Sequence, residues 1–173
     1  RDVAKAKALL KAAGHDKVEV EMLISNSPIV VQMMEAVQAM VAEAGFDVKL
    51  KTMEFATLLN EETAGNFQMA RTDWSGRVDP DGNIHQFVTC KGGLNEVKYC
   101  NPKVDELLNA ARASVDLKVR KEKYDAAAAI LDDDLPYIYL AHQSWQWGFD
   151  KKVTGFAPSP DGMIRLTGMA KAN

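Results

Sequence analysis

The sequence lacks any apolar run long enough to cross a lipid bilayer, which takes about 20 consecutive residues. It also lacks a basic block, because 21 Lys and Arg residues are interspersed with 24 Asp and Glu residues, giving a formal net charge of −3. Proteins that follow a nucleic-acid backbone carry a clustered basic surface, so nucleic acid is not an expected partner. No signal peptide stands at the start, and the chain begins with Arg1 instead of Met. We therefore expect a processed protein or an excised piece of a longer one.

Sequence patterns typical of enzymes are also missing. There is no Gly-rich phosphate-binding loop, and no Gly-x-Ser-x-Gly elbow surrounds Ser75. The histidines His15, His85 and His142 are scattered, and the sequence pairs none of them with a nucleophile or a carboxylate. An enzyme is therefore disfavoured, and no cofactor is expected.

Cysteine is scarce: only Cys90 and Cys100 occur, in a polar segment that contains glycine. A structural zinc site takes four ligands, and only His85 lies nearby, so the ligand count excludes zinc. The run at 79–83 suggests a calcium loop, but Gly82 stands fourth instead of sixth and the twelfth position is not Glu. No metal site is predicted. From the residues alone, the two cysteines are either free thiols of a cytosolic protein or a disulfide of an oxidising compartment.

What the chain does contain is typical of a globular protein. Of its 173 residues, 47% are hydrophobic and 26% are charged. This length is sufficient for one large domain or two small ones. Because we find neither an internal repeat nor a linker, we predict a single α/β lobe over residues 1–173.

The first 72 residues alternate between strand-like and helix-like patterns. Apolar residues recur at every second position in three short runs and at helical spacing between these runs. Helices and strands are predicted in turn at residues 2–13, 18–24, 28–44, 46–52, 56–64 and 67–72. This order predicts a βαβαβ core: a mostly parallel open sheet, flanked by helices, with right-handed crossovers.

The remaining residues predict helices first and strands afterwards. We expect a helical turn at 82–88, helices that begin near Asn101 and Asp116, and strands at 137–141, 144–149 and 164–166. The acidic run 132–134 stands at a helix carboxyl end, where the helix dipole disfavours negative charge. It is interpreted as a fraying, solvated terminus.

The loop at residues 73–83 follows the third predicted strand and is the candidate ligand site. Trp74 provides an aromatic platform, Ser75 and Gly76 let the backbone turn tightly, and Arg77 and Asp79 add charges of both signs. In open parallel sheets, ligands bind beyond the carboxyl ends of the strands. We predict that these five residues contact a small polar ligand. The alternative is a solvated surface loop whose tryptophan covers the core.

Several segments, taken in order, resemble the carboxyl-terminal lobe of a known protein class. They are the opening helix 2–14, the strand that ends in Ser25-Asn26, the helix end Ala42-Glu43-Ala44-Gly45-Phe46, the run Glu54-Phe55-Ala56-Thr57-Leu58-Leu59, Trp74-Ser75-Gly76 with Asp79-Pro80, and Asn101-Pro102-Lys103-Val104-Asp105-Glu106-Leu107-Leu108. The class is the dipeptide/oligopeptide family, family 5, of extracellular solute-binding proteins that feed ABC transporters. The resemblance covers essentially the whole chain.

This resemblance implies a two-lobed periplasmic-binding-protein fold that closes on a ligand, usually a peptide or a nickel complex. The chain would be one lobe with half of the site. Its partners would be the missing amino-terminal lobe, the ligand and an ABC permease in the inner membrane. The resemblance also implies a periplasmic protein whose signal peptide is not in this chain.

Two expectations about this lobe follow. Members often carry a disulfide near the loop, which implies a bond between Cys90 and Cys100. A single lobe should have no catalytic turnover, should bind its ligand poorly and should show a half-formed groove beside Trp74. The alternative hypothesis is a self-contained α/β enzyme or interaction domain.

Arg77 departs from the family pattern. In the peptide binders, an Asp three residues after this tryptophan pairs with the α-ammonium of the ligand, so an anchored amino terminus is not implied here. A guanidinium that faces the cleft would favour a ligand with an anionic or strongly accepting group. The alternative is that Arg77 pairs with Asp73, Asp79 or Asp81, which leaves Asp79 as the best candidate for a cationic ligand.

Overall fold

The apolar alternation of the first 72 residues produces a three-stranded parallel sheet. The computed structural model describes residues 1–141, 144–159 and 161–172. The strands are β1 (Val18–Ser25), β2 (Phe46–Met53) and β3 (Met69–Ala70), and the helices between and before them are α1 (Val3–Ala12), α2 (Pro28–Ala42) and α3 (Phe55–Ala64). The strand order is β2-β1-β3, and both pairings are parallel. The predicted βαβαβ core is confirmed, although β3 is shorter than the predicted strand at 67–72.

The carboxyl-terminal half of the central strand β1, from Met22 to Ser25, is buried on both faces, whereas Glu19 and Glu21 of its first half are exposed. Met22 and Ile24 pack with Val30 and Met34 of α2, and Val48 of β2 joins the same cluster. Because side chains alternate along a strand, Leu23 faces the opposite side, where it is only 1% exposed. Both faces of the sheet are therefore covered near the carboxyl end of β1, as is usual for parallel sheets.

The chain divides into two compact units, Arg1–Asp73 and Trp74–Asn173. The sheet belongs to the first. The second contains the helices α4 (Asp81–Val88), α5 (Pro102–Ala113) and α6 (Leu117–Asp134) and the two-residue strands β4 (Val153–Thr154) and β5 (Ala170–Lys171), which pair antiparallel. That residues 1–173 form a single lobe stays a prediction.

The three helices of the second unit share an apolar core. Its buried members are Val88, Val104, Leu107, Leu108, Ala127 and Leu131. Side-chain caps begin two of the helices: the Asn101 side chain accepts from the Lys103 amide, and the Asp116 side chain accepts from the Lys118 and Val119 amides. The predicted starts of α5 and α6 are confirmed.

A disulfide closes the segment between α4 and α5. The Cys90 and Cys100 sulfurs are bonded to each other, which confirms the predicted pairing. Inside the closed loop, the buried Asn95 side chain donates to the carbonyls of Thr89 and Tyr99 and accepts from the Tyr99 amide. The loop is thus fixed by hydrogen bonds as well as by the covalent bond.

The tail beyond α6 departs from the prediction. The strands predicted at 137–141, 144–149 and 164–166 are wrong, since the structure assigns no strand to the residues that it describes there. Ile138 and Tyr139 are 67% and 74% exposed, and alternation alone does not make a strand when no neighbouring strand pairs with it. Close packing shapes part of this tail instead, because a Cβ at Gly162 would lie 2.1 Å from the Trp145 ring. His142 lies outside the described residues.

The acidic end of α6 is also more ordered than expected. Asp134 accepts hydrogen bonds from the Tyr99 hydroxyl at 2.5 Å and from the Asn101 amide at 3.0 Å. These contacts lower the pKa of Asp134, while burial and the same hydrogen bond raise the pKa of Tyr99 to about 12. Asp134 is exposed, as a solvated terminus requires, but these hydrogen bonds hold its side chain and α6 extends to this residue, so the interpretation of a fraying end is wrong there.

Candidate functional site

Asn83, in the first turn of α4, organises the loop that carries the candidate site residues. Its side-chain oxygen accepts from Trp74 Nε1 at 3.2 Å and from the Arg77 amide at 2.5 Å. Its side-chain nitrogen donates to the carbonyls of Arg77 at 2.7 Å and Asp79 at 3.0 Å. One amide side chain thus uses both its acceptor and its donor groups to hold the loop.

The Arg77 side chain folds over the Trp74 ring. Its guanidinium carbon lies 4.3 Å from the ring centroid, within the range of a cation–π contact. Nη1 donates to the Ser75 carbonyl at 2.7 Å, to the Ser75 hydroxyl at 3.1 Å and to the Gly76 carbonyl at 3.2 Å. The loop therefore presents its cation in one fixed position.

The three carboxylates near Arg77 in the sequence are engaged by other arginines. Asp73 accepts two hydrogen bonds from Arg71, at 2.6 and 2.7 Å. Asp79 accepts from Arg120 at 2.6 and 2.8 Å, and Asp81 accepts from Arg112 at distances between 2.8 and 3.1 Å. The alternative that Arg77 pairs with one of these three carboxylates is therefore wrong.

The two arginine–carboxylate pairs of the second unit tie the loop to its helices. Arg120, whose side chain is only 15% exposed, also donates to the carbonyls of Ala111 and Ser114, where α5 ends. At the second pair, the hydrogen bond from Arg112 is the main cause that holds the pKa of Asp81 below its usual value, and it raises the pKa of Arg112. Both pairs fix the loop without adding net charge.

Trp74 has both a packing role and an accessible surface. Its ring meets Phe87 edge-on at a centroid distance of 4.9 Å, and Phe87 packs against the core of the helices. The residue nevertheless remains 40% exposed. The contact with Phe87 fits the interpretation of a core-covering tryptophan, and the exposed part leaves its role as a ligand platform a prediction.

The glycine that leaves little room for a side chain in this loop is Gly82, not the expected Gly76. We assigned the tight turn to Ser75 and Gly76, but a Cβ added at Gly76 meets only the Asn83 side chain, at 4.0 Å. At Gly82 a Cβ would lie 3.0 Å from the Arg77 Cβ, so a side chain there would push against Arg77. Gly82 is thus the glycine that lets Arg77 take its position.

A shallow concavity of about 550 Å³ lies beside the loop in the second unit. Its lining residues are Val78, Asp79, Pro80, Leu117, Arg120, Lys121 and Tyr124. Trp74 is not among them, so this concavity is not the groove expected beside Trp74. In the described parts of the chain, no group of three or more His, Cys, Asp or Glu side chains is placed to hold a metal ion, and no helix is long and apolar enough to cross a membrane.

Asn83, Arg112 and Arg120 are not among the site residues that the sequence predicts. The two arginines lie 31 and 41 residues from the carboxylates that they bind, so no local pattern could reveal the pairing. Asn83 was visible as a polar residue after Asp-Pro-Asp-Gly, where turn chemistry is common. Its contacts with four groups of the loop required the folded geometry.

Residues 1–95, which include both the sheet and this loop, match the family described as bacterial extracellular solute-binding proteins, family 5 Middle. The chain belongs to this family. The resemblance to family 5 of the solute-binding proteins and the periplasmic-binding-protein fold, both expected from the sequence, are confirmed. The family consists of solute-binding proteins that serve transport, which is a different class from enzymes.

The relatives of known name include peptide-binding proteins. The dipeptide-binding protein of Escherichia coli K12 is 30% identical over 93% of the chain and 32% of its own length. The probable D,D-dipeptide-binding periplasmic protein DdpA of the same organism is 32% identical over 92% of the chain and 32% of its own length. The chain thus spans about a third of the length of these curated relatives.

A solved structure extends the similarity to the whole fold. The dipeptide-binding protein of Pseudoalteromonas sp. SM9913, crystallised with Met-Leu, is 27% identical to this family member, with a TM-score of 0.81. The match covers 99% of this chain and 36% of the other. Fold similarity of this extent leaves the role of each loop residue as a prediction.

Proposed function

We propose that this chain is the substrate-capture lobe of a solute-binding protein that delivers peptides or peptide-like polar solutes to an ABC importer. The observation that carries the proposal is the family match over residues 1–95, which includes the pre-formed loop around Trp74 and Arg77. A fixed loop loses less conformational freedom when a ligand binds than a mobile loop does. This loop is therefore suited to ligand capture.

The proposed partners follow from the length of the relatives. Because the chain spans about a third of them, we propose that another lobe of the same protein supplies the opposite wall of the site. An ABC permease would then receive the ligand. The Cys90–Cys100 disulfide supports a periplasmic location, since such bonds persist in oxidising compartments.

The proposed ligand contacts are Trp74, Ser75, Gly76, Arg77 and Asp79. Trp74 would stack on an apolar part of the ligand, and the loop backbone would pair with its polar groups. Asp79 would meet the ligand as half of a neutral pair, because Arg120 donates to both of its oxygens. This makes Asp79 a weaker site for a cationic ligand than its sequence position suggested.

The test uses the protein with its native flanking sequence and two probes, the dipeptides Met-Leu and Ala-Ala, in calorimetric titrations. The variant is Trp74→Ala. The control is Trp147→Ala, which removes a tryptophan of the same unit that packs on Phe156 at 5.2 Å. We expect Trp74→Ala to weaken binding by more than about fivefold, since truncating an aromatic anchor typically costs more than 1 kcal/mol.

The same titrations decide against the proposal in two cases. Equal affinities of the wild type, Trp74→Ala and Trp147→Ala would show that Trp74 does not contact the ligand and that this loop is not part of the binding site. Absence of binding for both dipeptides and for a broader peptide library would favour the other hypothesis, a self-contained enzyme or interaction domain. In a separate titration, the isolated chain should bind these dipeptides more weakly than the longer protein, because it lacks the opposite wall of the binding site.

A further inference from the structure

Arg77 differs from the other arginines that surround the loop. Arg71, Arg112 and Arg120 each bind a carboxylate. Within the described part of the chain, Arg77 instead contacts only neutral groups, which are two carbonyls, one hydroxyl and an aromatic ring. Its positive charge is therefore not balanced by a neighbouring carboxylate.

The charges of the loop sum to one uncompensated cation. The Asp79–Arg120 and Asp81–Arg112 pairs are each neutral as a whole. Because the two pairs are neutral, the charge of Arg77 gives the loop and its paired arginines a net charge of about +1. This charge lies on the same loop as the exposed part of Trp74. An anionic group would lose less hydration here than in a closed core and would still find a fixed charge to pair with.

The hydrogen bonds of Arg77 also leave donors available. All three of its side-chain hydrogen bonds start from Nη1. In the described residues, Nε and Nη2 donate to no protein acceptor. A guanidinium edge of this kind binds a carboxylate or phosphate through two parallel N–H···O bonds, and the stacking on Trp74 fixes the plane of that edge.

We propose that Arg77 makes this site prefer a ligand with a negatively charged group. Its guanidinium would bind two oxygen atoms of an anionic group of the solute, such as a peptide carboxylate. The inference rests on the proposed function, because it names the chemistry of the solute that the lobe captures. A phosphate group shares the same recognition chemistry. Asn83 acts as a positioning residue, since it fixes the Arg77 backbone through both its amide and its carbonyl.

The experiment compares charged and neutral versions of one ligand. Calorimetric titrations of the protein with its native flanking sequence use Met-Leu, Met-Leu carboxamide and N-acetyl-Met-Leu. The variants are Arg77→Gln and Arg77→Lys. The control is Arg165→Gln, an arginine of the same unit that already binds Asp161. Thermal unfolding of each variant verifies that the fold is retained.

The expected result is a preference of the wild type for Met-Leu and N-acetyl-Met-Leu over the carboxamide. Arg77→Gln should lose about tenfold to a hundredfold in affinity for the two acids, which is the range for a charge-assisted pair, and less than about threefold for the carboxamide. Arg77→Lys should retain part of the affinity, because it keeps the charge but loses the fork. Arg165→Gln should behave like the wild type.

Each other outcome has a separate meaning. If the wild type binds the acid and the carboxamide equally, Arg77 does not read charge, and the inference fails while the proposed function stands. If none of the three ligands binds, the inference fails for peptide carboxylates, and the broader peptide library decides whether the proposed function fails as well. Competition by inorganic phosphate that disappears in Arg77→Gln would support the inference and identify phosphate as a second source of the anion.

Discussion

The sheet of residues 1–73 and the loop of residues 74–83 hold their shapes by different forces. In the sheet, the apolar side chains at the carboxyl end of β1, Met22, Leu23 and Ile24, are buried and removed from water. In the loop, the side chains are largely exposed, and hydrogen bonds from Asn83 together with two arginine–carboxylate pairs fix the backbone. A buried apolar core stabilises the fold strongly and tolerates hydrophobic substitutions of similar size. A polar network, in contrast, depends on every hydrogen-bond partner in it.

This difference matters for function. A binding loop must leave donors and aromatic surface accessible, so it cannot obtain its order by burying them. Here the loop is ordered through the Asn83 side-chain amide and the Arg112 and Arg120 guanidinium groups, none of which is among the proposed ligand contacts. Trp74 and Arg77 are thereby fixed while their contact surface remains partly free.

The largest effect is expected from truncation of the sheet core. Ile24→Ala should cost about 2–5 kcal/mol of unfolding free energy, because Ile24 is 0% exposed and the truncation leaves a cavity. The matched control is Ile29→Ala in the same unit, where the isoleucine is 79% exposed and the cost should stay within about 0.5 kcal/mol. Urea unfolding measures both. Equal losses would show that burial does not dominate the sheet.

The disulfide is expected to contribute about 3 kcal/mol, the chain-entropy value for a bond that spans 10 residues. The double variant Cys90→Ser/Cys100→Ser should lose this amount in urea unfolding. Reduction of the wild type should reproduce the loss, while the double variant should not respond to reductant. A wild type that is indifferent to reductant would mean that the hydrogen bonds of Asn95 hold this segment without the covalent bond.

Asn83 tests the polar side of the comparison. Asn83→Ala removes both donor and acceptor and should cost about 1–2 kcal/mol in stability, together with a loss of ligand affinity because Trp74 and Arg77 lose their support. Asn83→Asp keeps the two accepted hydrogen bonds but places a carboxylate oxygen against the Arg77 and Asp79 carbonyls, so its stability should fall at least as far as that of Asn83→Ala. If neither variant changes ligand affinity, the loop is ordered without Asn83.

The sequence predicted the regions that depend on periodicity and capping. The alternation around β1, the methionine-containing face of α2 and the cap at Asn101 each act over a few residues, so they are visible in the sequence. The loop after the third strand was also predicted, because a turn with an aromatic and charged side chains has a recognisable composition. That its residues contact a ligand stays a prediction.

The remainder depends on partners that are distant in the sequence. Arg120 reaches Asp79 across 41 residues, and the order of the acidic end at Asp134 depends on Tyr99, 35 residues away. The tail shows the opposite failure: residues 137–141 alternate like a strand, but a strand also requires a neighbour to pair with. Local patterns supply preferences, and tertiary contacts decide between them.

The smallest effect concerns the pH dependence of the Asp81–Arg112 pair. The pKa of Asp81 is lowered in the folded protein, chiefly by the hydrogen bond from Arg112, whereas in the unfolded chain the pKa returns near its ordinary value of 3.8. A lowered folded pKa means that the pair stabilises the fold above that value and that this contribution is lost as the pH falls through the folded pKa. The Arg112 side chain is 49% exposed, so we expect the pair to contribute less than about 1 kcal/mol to the free energy of unfolding.

Urea unfolding between pH 7 and pH 2 should show a smaller acid-induced loss of stability for Asp81→Asn than for the wild type. Arg112→Gln should give the same reduced slope, since it removes the other partner, and the double variant should add nothing further. If Asp81→Asn retains the full acid sensitivity of the wild type, this pair does not anchor the loop.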